Sequence, residues 1–509
     1  MTEYTFPSID RSQRTLIVGL GETGAAAARW LARAGAKLRI LDTREAPPGL
    51  AVLQKDLASV DVEYALGGQA FSEDVLGDVG SMVLSPGLSP RLEPVRSLVA
   101  RAFAAGVEVI GEIELFARAL ADMAEQGYRP AVLAVTGTNG KTTVTAMTRQ
   151  LVSASGMSVR AAGNIGPAAL SALQEALDSE QLPQVWVLEL SSFQLESTHS
   201  LVPDAGVVLN LTQDHLDWHG SMEAYAGAKS RLLHASRVAI VNRDDPLVVS
   251  MVSDERQLSV RSFGRGAPRW EGDLGLEISN EISWLSVAEA TDFALPPSSA
   301  RRKKNTPEPQ RETGRLTRLM PADALRVKGS HNVMNALAAL ALGRCLDLKW
   351  SSMLHALRDY GGEPNRTEFV RSIGGVDFVN DSKGTNVGAT VAALEGLDQS
   401  LVLIAGGMGK GQDFSVLAES VRRHARAVVL IGQDAPLLES ALADTGIPIL
   451  RAGSMDQAVN MAFEQAATGD AVLLSPACAS MDMFRNYAER GQAFISAVDE
   501  LALERGEVA

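Results

Sequence analysis

Short apolar runs alternate with alanine- and leucine-rich amphipathic stretches along almost the whole chain. Near the start, the apolar run at residues 15–19 is followed by a stretch of helical composition at 22–35. Further apolar runs of strand length recur down the chain, at residues 37–41, 81–84, 132–135, 185–188, 207–209, 376–379, 401–405, 427–431 and 471–474. Strands that alternate with helices in this way predict an α/β fold built on parallel sheets.

The pattern divides into three units, since a chain of 509 residues is too long for one hydrophobic core. The first unit runs from about Arg14 to Val107, the second starts near Val109, and the third begins after the turn Gly361-Gly-Glu-Pro364. We therefore predict three domains, at residues 1–108, 109–362 and 363–509.

Residues 264–322 interrupt this pattern within the second unit. The segment 296–310 is polar, charged and rich in proline, and it lacks the apolar side chains that a packed element needs. We predict a flexible surface insertion here. The basic run Arg301-Arg-Lys-Lys304 reads better as a solvated loop than as a recognition patch.

Composition is that of an ordinary soluble globular protein, with 46% apolar and 21% charged residues. The formal net charge of −14 argues against a general nucleic-acid or membrane-surface binder. The two cysteines, Cys345 and Cys478, indicate a reduced compartment and supply no metal framework. No secretory signal and no membrane-spanning apolar run are visible, so the sequence predicts a cytoplasmic protein.

A glycine-rich segment, Gly137-Thr-Asn-Gly-Lys-Thr-Thr143, follows directly on the apolar run at 132–135. Its glycines would let backbone N–H groups turn inward around a phosphate. Lys141 would reach the outer phosphates, and the Thr142 hydroxyl would face Mg²⁺. Position 135 is Val where the full P-loop has its first Gly, so the loop is a shortened variant. A strand before it and a helix after it favour nucleoside triphosphate binding over a glycine-rich turn that binds no ligand.

The segment Gly19-Leu-Gly-Glu-Thr-Gly24 is a G-x-G-x-x-G fingerprint between a predicted strand and a predicted helix. Asp42 ends the next predicted strand, where an acidic residue would meet a ribose. A dinucleotide fits this fingerprint, which would make the protein a dehydrogenase. A uridine diphosphate group fits it equally well. Close packing of helix on strand without any ligand is a further alternative. The triphosphate loop downstream favours a nucleotide-linked substrate and ATP on separate domains.

Glu189 ends an apolar strand after the phosphate loop, the usual position of a Mg²⁺ ligand or water positioner. His215 and His219 have helical zinc-ligand spacing with Asp214 and Asp217 beside them, but no third ligand of H-E-x-x-H type is present. A histidine that joins carboxylates around Mg²⁺ or Mn²⁺ beside ATP fits better, and His219 could be a satisfied surface residue.

Lys229 lies in a helical stretch that is poor in charge. Such a lysine is usually a snorkelling surface residue. If it is desolvated, its pKa falls and the amine can react with CO₂, which would make a carbamate ligand for a metal.

Three polar loops follow strands of the third unit, and parallel sheets bind ligands beyond the carboxyl ends of their strands. The loops span residues 380–386, 406–413 and 475–487, and the first two contain Lys383 and Lys410. They predict a site for an anionic substrate. Cys478 could be a nucleophile, but with no paired histidine near it in sequence a small buried thiol is the better interpretation.

Taken together, these residues resemble the Mur ligases of peptidoglycan synthesis over nearly the whole chain outside the insertion. The family signatures are the phosphate loop, Gly163-Asn-Ile-Gly166, Glu189-Leu-Ser-Ser-Phe-Gln194, His331-Asn-Val-Met-Asn335 and Asn380-Asp-Ser-Lys-Gly-Thr-Asn386. The loop at 475–487 is most similar to that of the D-glutamate-adding members. The resemblance implies a Rossmann-like N-terminal domain, a central P-loop ATPase-like parallel sheet and a Rossmann-like C-terminal domain.

The resemblance also implies which residues bind each substrate. The UDP-sugar would be held by Gly21, Glu22, Thr23, Asp42, Thr43, Arg44, Ser85, Pro86, Gly87, Asn164 and Gln194. ATP would be held by Gly137, Thr138, Asn139, Gly140, Lys141, Thr142, Thr143, Asn335, Arg366 and Asp381. D-Glutamate would be held by Lys383, Thr385, Lys410, Ser480 and Tyr487. Mg²⁺ or Mn²⁺ would be bound by Thr142, Glu189, His215 and a carbamylated Lys229.

Two positions depart from the family pattern: Asn365 precedes Arg366 where His is frequent, and Tyr487 replaces a common Phe. The implied reaction joins UDP-N-acetylmuramoyl-L-alanine and D-glutamate through an acyl phosphate made from ATP. Closure of the third domain over the second is expected to exclude water, and the enzyme is expected to be a monomer. The alternatives are another amide-forming ligase of the Mur or folylpolyglutamate type and, with low weight, an NAD-dependent dehydrogenase.

Overall fold

A computed structural model describes residues 4–71, 73–291, 310–327, 329–409 and 411–507. Within these residues the strands form three sheets of five, nine and six strands. Most strand pairs are parallel, which confirms the α/β architecture predicted from the alternating pattern. None of the described helices is long and apolar enough to cross a membrane.

The first sheet is wholly parallel, with strand order β3-β2-β1-β4-β5. Its strands are β1 (Arg14–Val18), β2 (Lys37–Asp42), β3 (Val62–Leu66), β4 (Val79–Leu84) and β5 (Glu108–Ile110), with helices α1 (Glu22–Arg33), α2 (Leu50–Asp56), α3 (Val95–Ala104) and α4 (Glu112–Glu125). Strand β5 pairs with β4, so this sheet extends past the boundary predicted at residue 108. A strand of three residues gives too short an apolar run to be assigned from sequence.

The first and second domains share one continuous core. Residues of α1 and α4 belong to the same buried cluster as residues of β6, β8 and the helix that follows β7. Phe116 of α4 meets Trp186 of β8 edge to face, with ring centroids 5.3 Å apart. The N-terminal domain is therefore packed against the central sheet through buried apolar surface.

The central sheet has the order β14-β13-β12-β11-β10-β9-β6-β8-β7. Its strands are β6 (Ala131–Thr136), β7 (Val159–Gly163), β8 (Val185–Glu189), β9 (Ala205–Val208), β10 (Val238–Asn242), β11 (Val260–Gly264), β12 (Leu274–Ser279), β13 (Ile282–Glu289) and β14 (Arg315–Pro321). Its helices are α5 (Lys141–Ala154), α6 (Ala169–Asp178), α7 (Ser192–Glu196), α8 (Leu216–His219), α9 (Met222–Ala235), α10 (Pro246–Val249), α11 (Ser330–Arg344) and α12 (Trp350–Asp359).

The predicted flexible insertion at 264–322 is wrong for most of its length. Strands β12, β13 and β14 lie within it and extend the central sheet: β12 pairs parallel with β11, and β13 and β14 follow by antiparallel pairing. The β12–β13 hairpin turns at Asn280 and Glu281, which both have positive φ. This is the backbone of a type I′ turn, which sequence usually signals by Asn-Gly or Asp-Gly. The turn was therefore missed, and residues 292–309, with the basic run 301–304, lie outside the described residues.

The third sheet has the order β15-β16-β20-β17-β18-β19 and is parallel except for the β15–β16 pair. Its strands are β15 (Glu368–Ile373), β16 (Val376–Asn380), β17 (Leu401–Gly406), β18 (Ala425–Ile431), β19 (Ile449–Arg451) and β20 (Ala471–Leu474). Its helices are α13 (Val387–Gly396), α14 (Leu417–His424), α15 (Ala435–Leu442), α16 (Met455–Gln465) and α17 (Tyr487–Glu504). The polar loops after β16, β17 and β20 all leave from the carboxyl ends of adjacent strands.

A buried ion pair fixes the chain where it returns from residues 292–309. The side chains of Arg311 and Asp273 pair with only 1% and 2% exposure, and Asp273 also accepts from Ser262 N at 2.8 Å. Arg311 donates further to the carbonyls of Glu271 and Glu255. Removal of one partner of a buried pair leaves an uncompensated charge, at a cost of about 3–5 kcal/mol.

We predict that replacing residues 296–309 by a glycine–serine linker of equal length changes neither activity nor the free energy of unfolding appreciably. By contrast, Arg311→Met should lower that free energy by about 3 kcal/mol or more, because Asp273 stays buried and unpaired. Urea denaturation of both variants measures the difference. A strongly destabilised linker variant would show that residues 296–309 pack against the domain.

Candidate active site

Two adjoining cavities lie between the central and third domains, with volumes of about 530 and 330 Å³. The larger is lined by residues predicted to hold adenosine, among them Asn335, Arg366 and Asp381. The smaller is lined by Thr142, Glu189, His215, Lys229 and Thr385 among others. Both cavities share Asn139, Gly140, Arg366 and Lys383, so side chains from two domains meet over the phosphate loop.

The phosphate loop runs from the end of β6 to the start of α5, as predicted. Gly140 adopts a positive φ of 83°, and a Cβ there would lie 2.5 Å from Asn335 Oδ1, so only glycine fits. Lys141 Nζ donates to the carbonyls of Gly137 and Thr138 at 2.9 and 2.7 Å. Desolvation lowers the pKa of Lys141 below its usual value. The positive end of α5 and this ammonium both face the cavity, an arrangement suited to phosphate.

Glu189 is the centre of a polar cluster beside this loop. The β6–β8 pairing brings the end of β8 next to the loop, and there Thr142 Oγ1 donates to Glu189 Oε2 at 2.8 Å. Asn164 Nδ2 donates to Oε1 of the same carboxylate at 2.7 Å. Arg366, from the third domain, hydrogen-bonds to Thr142 Oγ1. Residues far apart in sequence thus converge on one buried carboxylate.

Lys229 is buried within α9, with 1% of its surface exposed, so it is not the snorkelling surface residue weighed from sequence. Its Nζ donates to Gly137 O at 2.8 Å and to Thr136 Oγ1 at 3.3 Å, and lies 4.7 Å from the centroid of the Tyr225 ring. Burial, reinforced by the nearby charge of Lys141, holds the pKa of Lys229 well below its usual range. This lowering of the pKa favours the uncharged amine, the form that the predicted reaction with CO₂ requires.

The two histidines with zinc-ligand spacing point to different places. His215 lines the smaller cavity, and its ring packs edge to face on Phe193. His219 is buried, with Nε2 2.9 Å from Ser192 Oγ, and burial lowers the pKa of its imidazole to about 4. No group of three metal-binding His, Cys, Asp or Glu side chains occurs in the described part of the chain. His219 is thus held by Ser192 in the interior, and the surface position considered for it is wrong.

The side chain of Gln194, which was predicted to contact substrate, takes part in a helix cap. Its Oε1 accepts from Ser191 N at 2.9 Å, while Ser191 Oγ accepts from Gln194 N, so the two residues form a capping box at α7. Gln194 is buried and does not appear among the residues that line either cavity. The cap uses the Oε1 and the backbone N–H of Gln194, and its contact with substrate stays a prediction.

Asp381 lies at the wall of the larger cavity and is buried. Burial raises the pKa of its carboxyl to about 7, and Ser475 Oγ and Thr367 N donate to it at 2.8 and 3.2 Å. The preceding connector brings Arg366 across to the central domain. Residues of both domains thus line this cavity, among them those predicted to hold the nucleotide.

Loops of the third domain bring several of the residues predicted for the amino acid together. Lys383 Nζ lies 3.9 Å from the centroid of the Tyr487 ring, a cation–π contact, and Lys383 and Thr385 both line the smaller cavity. Ser480 is buried, is not among the lining residues, and its carbonyl accepts from Met483 N and Phe484 N. Lys410 lies outside the described residues.

Arg490 of α17 is a residue that the sequence argument missed. It is 1% exposed and donates from Nε and Nη2 to Ser382 and from Nη1 to Cys478 O. It therefore ties the loop after β16 to the loop after β20. Cys478 itself is buried, and burial raises the pKa of its thiol to about 12, which fits an inert thiol rather than a nucleophile. A lone arginine in a helix gives no sequence signal for such contacts.

The residues predicted for the UDP-sugar are gathered at one edge of the first sheet. Gly21 precedes α1, Asp42 ends β2 with Thr43 and Arg44 directly after it, and Ser85, Pro86 and Gly87 follow β4, as in a Rossmann-like fold. Asp42 accepts from Leu20 N at 2.8 Å, and its hydrogen bond with Arg44 lowers the pKa of that carboxyl to about 2. Glu22 and Thr23 begin α1, and a Cβ on Gly166 would lie 3.8 Å from Glu22 Oε1. This edge therefore faces the Asn164 loop of the central domain.

Known protein families match each of the three domains. The Mur ligase MurD-like N-terminal domain matches residues 13–111, the Mur ligase middle domain 135–343, and the Mur ligase glutamate ligase domain 365–478. The chain therefore belongs to the Mur ligase family.

Among its relatives are proteins named UDP-N-acetylmuramoylalanine–D-glutamate ligase. That of Bordetella bronchiseptica is 64% identical over 496 residues, which cover 97% of both chains. That of Burkholderia thailandensis is 52% identical over 495 residues, which cover 96% of this chain and 97% of its own.

Solved structures show the same fold at lower identity. The UDP-N-acetylmuramate–alanine ligase of Thermotoga maritima has a TM-score of 0.54 and 18% identity, with 96% of this chain and all of that chain covered. The MurF ligase of the same organism, in complex with ADP, has a TM-score of 0.54 and 16% identity, with 84% and 96% covered.

Proposed function

We infer that this protein is an ATP-dependent ligase that forms the amide bond between UDP-N-acetylmuramoyl-L-alanine and D-glutamate in peptidoglycan precursor synthesis. The observation that carries the inference is the 64% identity, over 97% of both chains, to a ligase named for this reaction. The smaller cavity between the central and third domains agrees with this inference, because the phosphate loop and the loop that carries Lys383 face one another there. A cytoplasmic location and a monomeric state are proposed with it, the former because ATP is supplied there.

The arrangement of side chains accounts for the first chemical step. The γ-phosphoryl of ATP passes to a carboxylate oxygen of the L-alanine residue, giving an acyl phosphate and ADP. Lys141 and the N-terminal end of α5 would stabilise the charge on the transferred group, since catalysis of phosphoryl transfer is mainly positioning and charge stabilisation. Arg366 approaches the same region from the third domain through its hydrogen bond to Thr142.

In the second step the neutral amine of D-glutamate attacks the acyl carbon, phosphate leaves, and the amine gives up a proton. Lys383 and Thr385 would bind the carboxylates and so orient the amine. Exclusion of water protects the acyl phosphate from hydrolysis. Both cavities are lined by the central and third domains, so closer approach of the two domains would serve this purpose.

The cluster around Glu189 fits Mg²⁺, which prefers oxygen ligands and is usually bound by one or two carboxylates together with substrate phosphates. A buried carboxylate and the Thr142 hydroxyl lie 2.8 Å apart beside the phosphate loop. Thr142, Glu189, His215 and a carbamylated Lys229 would hold the ion. When bound it would offset the charge of the ATP phosphates.

The test is phosphate release by the purified protein with ATP, Mg²⁺ and UDP-N-acetylmuramoyl-L-alanine, across a panel of amino acids. We expect release only when nucleotide-sugar and D-glutamate are both present, together with a product one glutamyl residue heavier. Release with L-lysine or diaminopimelate instead would assign another member of the family. Quenching of NADH fluorescence with no phosphate release would favour the dehydrogenase.

Amino-acid choice gives a sharper prediction. Binding of a carboxylate in a dry site is weakened by about 2–5 kcal/mol when its cationic partner is removed. Lys383→Ala should therefore raise the KM for D-glutamate by at least about 30-fold. The KM values for ATP and the UDP-sugar should change far less, and L-glutamate should be a poor substrate. Ser480→Ala and Lys410→Ala are expected to act in the same direction.

The control for these variants is Lys55→Ala, which removes an exposed lysine of α2 in the N-terminal domain. It should leave all three KM values unchanged. Equal increases in the KM values of all three substrates in Lys383→Ala would contradict a role in amino-acid binding.

A further inference from the structure

The side chain of Asn139 is directed away from its own loop. Its main chain is held by Asn210, whose Oδ1 accepts from Asn139 N at 2.8 Å and whose Nδ2 donates to Asn139 O at 3.1 Å. The two described hydrogen bonds of the Asn139 side chain both reach Asn386, which lies 247 residues away in the third domain. The phosphate loop is thus stabilised internally without this side chain.

Asn386 forms the other half of the pair. Its Nδ2 donates to Asn139 Oδ1 at 3.0 Å, and Asn139 Nδ2 donates back to Asn386 Oδ1 at 3.4 Å. Asn386 Oδ1 also caps α13 by accepting from Ala389 N at 2.9 Å. Both amides line the smaller cavity. The residue that follows Lys383 and Thr385 is therefore fixed both to its own helix and to the opposite domain.

The interface between the central and third domains is closely packed around this pair. Gly388, in the first turn of α13, lies so close to the central domain that a Cβ there would be 2.8 Å from Thr212 Oγ1. Thr212 is in turn bound to the phosphate loop, since its N–H donates to Thr138 Oγ1 at 3.0 Å. Two independent contacts thus join the start of α13 to the loop that would hold ATP.

We propose that Asn386 and Asn139 are positioning residues whose paired amides set the amino-acid loop of the third domain against the phosphate loop. The pair fixes the distance between the D-glutamate amine and the acyl phosphate, which are held by different domains. The proposal rests on the proposed function, because its readouts are the kinetic constants of that reaction.

A double-mutant cycle tests the pair with Asn139→Ala, Asn386→Ser and the double variant. Serine is as good a helix N-cap as asparagine but is too short to reach Asn139, so α13 keeps its cap. One neutral hydrogen bond contributes about 0.5–1.5 kcal/mol, or about 2- to 12-fold in kcat/KM for D-glutamate. We expect each single variant to lose that much and the double variant to lose little more than the worse single variant. Losses that multiply in the double variant would overturn the proposal.

A structural role for Asn386 alone would change stability without coupling to Asn139. Asn386→Ser should therefore keep the melting temperature of the wild type and raise the KM for D-glutamate while the KM for the UDP-sugar stays constant. Gly388→Ala would push the two domains apart at the same interface, because its Cβ would lie against Thr212. In that background Asn386→Ser should have little further effect. An undiminished effect of Asn386→Ser there would contradict the proposal. An inactive wild type would instead contradict the proposed function, and if another amino acid is the substrate the cycle is measured with that one.

Discussion

Lys229→Ala is expected to lower turnover by about 10²- to 10³-fold, the size of effect seen when a preorganised electrostatic group is removed from an active site. The lysine is buried beside the phosphate loop, and burial holds its pKa well below the usual value, which favours the uncharged amine that would attack CO₂. The nitrogen–carbon bond forms as the amine loses a proton, and an anionic carbamate results. Steady-state phosphate release measures the loss, and added acetate or formate should restore part of the activity.

Lys229→Arg provides the matched control for this prediction. Arginine has a similarly long side chain but does not form the carbamate, since its guanidinium stays protonated. We expect it to be as inactive as the alanine variant and not to respond to short carboxylic acids. Wild-type activity in Lys229→Arg would exclude carbamylation as a requirement.

Lys141→Ala should abolish turnover, with a loss of at least about 10³-fold, comparable with the removal of a cation from other phosphoryl-transfer sites. Binding of the UDP-sugar should change little, because the residues predicted to hold its diphosphate lie on the first sheet. Calorimetric titration with the UDP-sugar and with a non-hydrolysable ATP analogue separates the two affinities. Loss of both affinities in a folded variant would contradict binding of the two nucleotides by different domains.

Lys141→Arg is the companion variant, since it tests whether charge alone suffices. Lys141 Nζ donates to two carbonyls of its own loop, and a planar guanidinium does not reproduce the geometry of these contacts. We expect Lys141→Arg to remain severely impaired.

Most of the fold could be predicted from local patterns in the sequence. The phosphate loop and Glu189 were placed correctly because parallel strands end at one edge of a sheet, so residues after β6 and β8 must be neighbours. The hairpin at Asn280-Glu281 was missed because neither residue is the glycine that usually marks such a turn.

The finer contacts of the site are not encoded locally. His219 follows the same helical spacing as a metal ligand, and only its burial against Ser192 identifies it as a core residue. Asn139 with Asn386, and Arg490 with Ser382, meet across more than a hundred residues of sequence. No single-sequence pattern reports which polar side chains face each other after three domains have packed.

Strand β14 is the outer strand of the central sheet among the described strands, and this position has a consequence for self-association. An uncovered strand edge is a template for pairing with another chain. Here the strand carries Arg315 and Arg318, which pair with Glu289 and Glu277, and it ends at Pro321, which has no N–H to donate. Charge along the edge and a proline at its end make it a poor partner for a strand of a second molecule.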